Sequence, residues 1–190
     1  NFINESGIIY CATRKTVESL AKRLREKGFS AIEYHGGMDS ELRQKNQDDF
    51  MFDKVKMIIA TNAFGMGIDK PDVRFVIHYN MPKNMEAYYQ EAGRAGRDGE
   101  KSDCILMYSP SDVVKQKIIM QNDYLSSGRE EMMYKNLQYL IDYCHTNDCL
   151  RNKILIYFGE KVENQNCNNC GNCLDESEMV DITIEAQKIL

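Results

Sequence analysis

The chain has 190 residues, with 24 lysines and arginines against 29 acidic residues, a formal net charge of -5, 43% hydrophobic residues and no tryptophan. That length fits one domain or one and a half, with enough apolar content for a sizeable core, which argues against disorder. No apolar run exceeds five residues, as at 8–12, 104–108 and 154–158, whereas a membrane span needs about twenty, so a soluble chain with no membrane partner is expected.

Five short runs rich in β-branched and aromatic residues, at 7–11, 30–34, 55–61, 73–79 and 102–108, predict strands. The clearest helical pattern covers 14–27, where Val17, Leu20, Ala21 and Leu24 fall on one face; Thr13 suits its N-cap and Gly28 its stop. Further helices are expected over 40–50 and from the cap-type residue Asn84 toward Gly93. Strand and helix alternate, which predicts a parallel α/β sheet. Beyond Ser109-Pro110 the strands stop. Helices are expected there over 111–122, 129–144 and 149–158, with Ser126-Ser127-Gly128 as a turn and a cysteine-rich loop at the end. The expected division is an α/β lobe over 1–110, a small helical subdomain over 111–176, and a linker over 177–190. The chain opens on Asn1 rather than Met, and 185–190 read as a helix just begun, so a piece of a longer polypeptide is expected.

The acidity is uneven. From Asp148 onward eight acidic residues face four basic ones, which leaves 20 basic against 21 acidic before it. Residues 14–27 hold six basic residues and two acidic ones; that excess suits phosphates, although a solvated helix face is the simpler account.

In an open parallel sheet, ligands gather at the carboxyl ends of the strands. Three loops should line that rim: Ala12-Thr13-Arg14, His35-Gly36-Gly37, and residues 61–69 with Thr61, Asn62, Gly67 and Asp69. Their glycines permit close backbone approach, and their hydroxyl, amide and basic groups suit phosphate oxygens, where ordinary turn chemistry is the alternative. The densest signal is residues 90–99, QEAGRAGRDG. If that segment is helical, Arg94 and Arg97 lie on one side, and guanidinium forks suit a phosphoryl group in its transition state.

Taken in order, IIYCATRK, YHGGM, ATNAFGMGIDKPDVRFVIHY and YYQEAGRAGRDG resemble the motif series of the second motor lobe of superfamily 2 helicases, specifically the RecQ family of DNA helicases, over about residues 7–174. RNA helicases of the DEAD-box type usually show His where Gln90 stands, which tilts the resemblance toward DNA. It implies a RecA-like lobe followed by a zinc-binding subdomain, belonging to an ATP-dependent 3′-to-5′ helicase of DNA repair and recombination. Its location would be intracellular: the cytoplasm or nucleoid of a bacterium, or the nucleus of a eukaryote. Carried over by position, Arg97 is the finger on the ATP γ-phosphate, Arg94 and Gln90 support it, and Gly67 and Asp69 belong to the motif that couples nucleotide to DNA. Thr13, Arg14, His35, Gly36, Thr61 and Asn62 match loops that touch the single-strand backbone. Residues 181–188 resemble the start of the family's winged-helix domain.

Two parts of such an enzyme are missing. A phosphate-cradling P-loop needs a Gly-Lys pair, and the chain has none. The acidic Mg²⁺ motif is absent too, because Asp175-Glu176-Ser177-Glu178 follows cysteines instead of an apolar strand. Both belong to the family's first lobe, so the partners implied are that N-terminal lobe and DNA, as single strand and duplex junction. ATP and Mg²⁺ would act only in the whole enzyme. A non-catalytic zinc module that binds nucleic acid or a partner protein on the same fold is the alternative.

Seven cysteines divide by context. Cys11 and Cys104 in predicted strands and Cys144 on an apolar helix face read as buried small hydrophobes. Cys149, Cys167, Cys170 and Cys173, with seventeen, two and two residues between them, suit a tetrahedral structural Zn²⁺. Disulfides, redox use or an iron–sulfur cluster are the alternatives, and Cys144 or His145 compete with Cys149 for the first ligand position. The resemblance selects Cys149, which opens a helix ending in Tyr157-Phe158-Gly159-Glu160. His78, inside a strand, reads as a satisfied structural histidine.

Overall fold

The computed structural model describes residues 2, 4–65, 68–122 and 127–177. The expected turn at Ser126, the winged-helix start at 181–188 and the helix at 185–190 fall wholly or partly outside them. Two units divide the chain, Asn1–Cys144 and His145–Leu190. No helix among the described residues is long and apolar enough to cross a membrane.

In the first unit five strands, β1 (Gly7–Tyr10), β2 (Ala31–Tyr34), β3 (Met57–Ala60), β4 (Phe75–His78) and β5 (Asp103–Leu106), form one parallel sheet in the order β2-β3-β1-β4-β5. All five predicted strands are present, each shorter than its apolar run. β1 lies at the centre, and its four residues are all buried, as the uninterrupted run Gly7-Ile8-Ile9-Tyr10 requires of a strand covered on both faces.

Alternate residues serve opposite faces. Ile9, Cys11, Ile59 and Phe75 pack with Val17 and Ala21 of α1 (Arg14–Glu26). Ile8, Tyr10, Ile58 and Val76 pack with Phe50 of α2 (Ser40–Met51) and with Phe64, Ile68 and Val73 from the segment joining β3 to β4. That segment crosses from one side of β1 to the other with no helix among its described residues, and its own apolar side chains cover the sheet. Burying each such side chain contributes about 1.5–3 kcal/mol.

The expected caps form. Thr13 Oγ1 accepts the Thr16 N–H at 3.1 Å at the start of α1, and Asn84 Oδ1 accepts the Ala87 N–H at 2.9 Å at the start of α3 (Met85–Ala92). Gly28 ends α1 at φ +85, a left-handed conformation that favours glycine. Beyond β5 come α4 (Pro110–Asn122) and α5 (Ser127–His145).

The interior of the first unit holds a polar node. Asp112, 4% exposed, accepts from Asn80 Nδ2 at 3.1 Å, from the Met81 N–H at 3.2 Å and from Lys115 at 3.1 Å, while Asn80 Oδ1 accepts the Ala12 N–H at 3.1 Å. The ends of β1 and β4 are thereby tied to the first turn of α4.

Cys11 is buried as expected, but Cys104 is exposed and Cys144 only partly covered. The correction at Cys104 follows from position: β5 is the edge strand, and none of its side chains is fully buried. The second unit contains α6 (Leu150–Tyr157) and the one-turn α7 (Gly171–Leu174). α7 lies inside the loop expected to be irregular.

Candidate functional site

The loops after β1, β2 and β3 adjoin at the carboxyl edge of the sheet. Arg14 lies across Gly37, where a Cβ would sit 2.7 Å from Arg14 Nη1. Gly37 is therefore what lets the first two loops meet. Arg14, Gly36 and Asn62 are exposed. Thr13 is exposed, with its hydroxyl engaged in capping α1 and 2.8 Å from Thr16 Oγ1. Thr61 is half-buried; its N–H donates to the Tyr34 carbonyl at 3.2 Å and its Oγ1 accepts from the Ala63 N–H at 3.4 Å. His35 is 5% exposed. Its Nδ1 accepts the Gly37 N–H at 3.2 Å, which puts a ring proton on Nε2, 3.1 Å from Glu18 Oε1. The imidazole thus braces its loop against α1.

The two arginines do not share a helix face, because α3 stops at Ala92 and residues 93–100 run as turns. They meet instead on the loop that follows β3. Arg97 Nη1 donates to the Ile68 carbonyl at 3.2 Å and to Asp69 Oδ1 at 2.8 Å, and its Nε reaches the Gly93 carbonyl at 3.4 Å. The pair is open to solvent, with Arg97 38% and Asp69 83% exposed, so it holds the guanidinium weakly. Arg94 is half-buried over Gly65, where a Cβ would lie 2.3 Å from Nη2, and its Nε has no hydrogen-bond partner among the described residues. Burial pushes the pKa of the nearby Tyr10 hydroxyl up, and the charge of Arg94 pulls it back. Gln90 is exposed in the last turn of α3, and Gly67 lies outside the described residues.

A set of clamps keeps these loops in place. The Gly96 N–H donates to the Val73 carbonyl at 2.9 Å, and Arg74 pairs with Asp98, whose carboxyl it holds below the usual carboxylate range. Gly96 has φ +63, and a Cβ there would meet Ser102 Oγ at 2.5 Å, so the turn requires glycine twice over. Lys70 is 3% exposed between Asp53 at 3.1 Å and Asp72 at 3.0 Å, with Phe50 beneath it. Sequence reasoning passed over Lys70 and Gly65. The alternation Asp69-Lys70-Pro71-Asp72 was the available signal for the first; nothing local marks the second. His78 is buried with Nε2 2.9 Å from Glu91, while its Nδ1 has no partner among the described residues.

In the second unit, the sulfurs of Cys149, Cys167, Cys170 and Cys173 all lie within 4.8 Å of one another. A tetrahedral ion with metal–sulfur bonds of about 2.3 Å separates its ligands by about 3.8 Å, and Cys149 and Cys170 are 4.0 Å apart. The four thiols therefore fit Zn²⁺ and leave no open position. Local chain geometry prepares them. Asn168 adopts φ +52, Asn172 Nδ2 donates to the Thr146 and Asp148 carbonyls at 2.7 and 2.8 Å, and the Leu150 N–H donates to Cys170 Sγ at 3.4 Å. Burial pushes the Cys170 thiol up, but backbone N–H groups of Cys173 and Leu150 and the neighbouring thiols outweigh it and bring the pKa down to about 6, while the crowding of thiols pushes Cys173 up to about 12. A thiolate is the form a metal ligand needs.

Two family models match the chain: helicase conserved C-terminal domain over residues 2–99 and RecQ zinc-binding over residues 110–174. A Bacillus subtilis protein described as ATP-dependent DNA helicase RecQ is 47% identical over 98% of this chain and 31% of its own length. Its Haemophilus influenzae counterpart of the same description is 42% identical over 98% of this chain and 30% of its own length. The chain thus spans about a third of these curated relatives. Among solved structures, Saccharomyces cerevisiae Dbp5 bound to RNA and ADP BeF3 superposes with a TM-score of 0.53 at 26% identity, covering 70% of this chain and 39% of that one. Parallel sheet, rim loops, paired arginines and four-cysteine cluster fall where these matches fall, and the chain belongs to the helicase C-terminal domain family, in its RecQ branch, with that branch's zinc-binding region over residues 110–174.

Proposed function

We propose that this chain is the second motor lobe and zinc region, divided near residue 110, of an intracellular ATP-dependent DNA helicase moving 3′ to 5′. The observation that carries the reading is the seating of Arg94 and Arg97 on the loop that ends in Asp69, beside the rim of Arg14, Gly36, Thr61 and Asn62. Nucleotide chemistry and strand contact would thus share one loop. The relatives named as DNA helicases, and a neighbour bound to RNA and ADP BeF3, support the assignment of both ligands.

An N-terminal RecA-like lobe would hold most of ATP and Mg²⁺, which would supply the phosphoanhydride that water splits to ADP and phosphate. Arg97 leaves its weak pair with Asp69 and donates its N–H groups to the charge that develops on the transferring phosphoryl, a role worth about 10³–10⁵ in rate. Arg94, wedged on Gly65, fixes the turn from which Arg97 extends, and Gln90 orients from the end of α3. Arg14, Gly36, Thr61 and Asn62 meet the single-strand backbone near a duplex junction; Thr13 and His35 hold the two loops that present them. Cys149, Cys167, Cys170 and Cys173 would hold Zn²⁺, which would order the cysteine loop.

The chain supplies the finger but no P-loop, so by itself it should not turn over ATP. The test is a steady-state ATPase assay of the purified 190-residue chain with DNA, alone and joined to the first lobe. Turnover only in the joined form agrees with the proposal; robust turnover by the isolated chain overturns it.

A further inference from the structure

A groove of about 240 Å³ runs along the outer face of α1 beside the end of β4, lined by Lys15, Thr16, Ser19, Leu20, Arg23 and Tyr79. Residues 15, 19 and 23 recur at the four-residue spacing that stacks side chains on one helix face, so the face presents cation, hydroxyl, cation. Three neighbouring charges on α1 are paired within the chain, Lys22 with Glu26 at 3.9 Å, Arg25 with Glu33, and Glu18 with His35, while Arg14 and Lys27 at its two ends have no ion-pair partner among the described residues. Lys15 and Arg23 have no ion-pair partner among the described residues. This free positive charge stands out in a chain of net charge -5.

We infer that the groove is a subsite for single-stranded nucleic acid, extending the rim that begins at Arg14. Single strands are held by a positive groove that follows the backbone together with an aromatic platform for a base. Lys15 and Arg23, about 12 Å apart along the helix axis, reach two different phosphates. The Thr16 and Ser19 hydroxyls lie between them to hydrogen-bond phosphate oxygens. Tyr79, half-buried and lining the same groove, offers its ring to an unstacked base. A duplex keeps its bases stacked inside, which leaves Tyr79 nothing to bind. The inference rests on the helicase reading, since it assumes that a strand crosses the neighbouring rim.

The test is fluorescence anisotropy of a labelled oligothymidylate against the 190-residue chain over a series of salt concentrations. Replacing Lys15→Ala and Arg23→Ala together should flatten the slope of log affinity against log salt by about 1.4, two phosphates at about 0.7 each. Tyr79→Ala should weaken binding roughly tenfold, with Tyr79→Phe at the parent affinity. The double variant is wholly on the surface and keeps the test decisive if Tyr79→Ala fails to fold. If the parent binds and Arg14→Ala weakens it, but the double variant keeps the parent slope, the groove is overturned and the rim survives. If the parent does not bind the oligonucleotide, both fall. An equal slope change with a duplex of the same length overturns the single-strand assignment.

Discussion

At the scale of single residues, the two arginines of the Gly-Arg-Ala-Gly-Arg turn differ in what holds them. Arg97 is tied by an exposed ion pair that costs little to break, as a group that must reach a ligand should be. Arg94 is lodged against the bare Cα of Gly65. Gly65→Ala places a methyl group where the guanidinium lies, so the guanidinium must move. In the complete polypeptide we expect this variant to lower ATP turnover at least tenfold while nucleotide affinity stays within a few fold, measured by steady-state kinetics and nucleotide titration. Unchanged turnover would show that the packing of Arg94 is incidental. Neither contact was legible in the sequence. Gly65 and Arg94 are far apart along the chain, and the glycine reads as an ordinary turn residue until the fold brings the side chain over it.

At the scale of elements, local signals sufficed wherever local physics decides. The continuous apolar runs of β1, β3 and β4 and the caps at Thr13 and Asn84 are readable because each depends on residues adjacent or a few positions apart. Local signals failed where a neighbour or an edge decides. Cys104 was read as buried from its apolar run, yet β5 has a strand on one side only. Arg94 and Arg97 would share a face only if 90–99 were helical, and the chain leaves the helix at Gly93, where the Gly96 N–H meets the Val73 carbonyl. The Asp112 node joins residues more than thirty positions apart and left no local mark. The cysteine loop is the opposite case: the spacing announces a converging thiol set, the resemblance selects Cys149 over Cys144 and His145 as its first member, and the four sulfurs do converge, with α7 the one element it leaves out. Its dependence on metal gives a direct expectation: Cys170→Ser loses stoichiometric zinc by elemental analysis and melts at lower temperature by circular dichroism. Unchanged metal content in that variant would contradict the four-thiolate assignment.

At the scale of the whole molecule, the order of strands puts functional loops on one edge. β1 is central, and the chain crosses over it between β3 and β4, so the loops after β1 and β3 flank the switch point where open parallel sheets bind ligands. The crossing segment carries Asp69, which pairs weakly with Arg97, and Lys70, which is buried between two carboxylates that fix the segment to the lobe. A strand on the rim and a nucleotide at the arginines would therefore pull on one short, well-anchored loop. The central claim is that Arg97 acts on a nucleotide held by the lobe the chain lacks. Its most direct measurement is ATP hydrolysis by the complete polypeptide with Arg97→Ala, in the presence of single-stranded DNA. A fall in turnover of about 10³ or more, with nucleotide affinity nearly unchanged, is the expected result; turnover close to that of the parent would contradict the account.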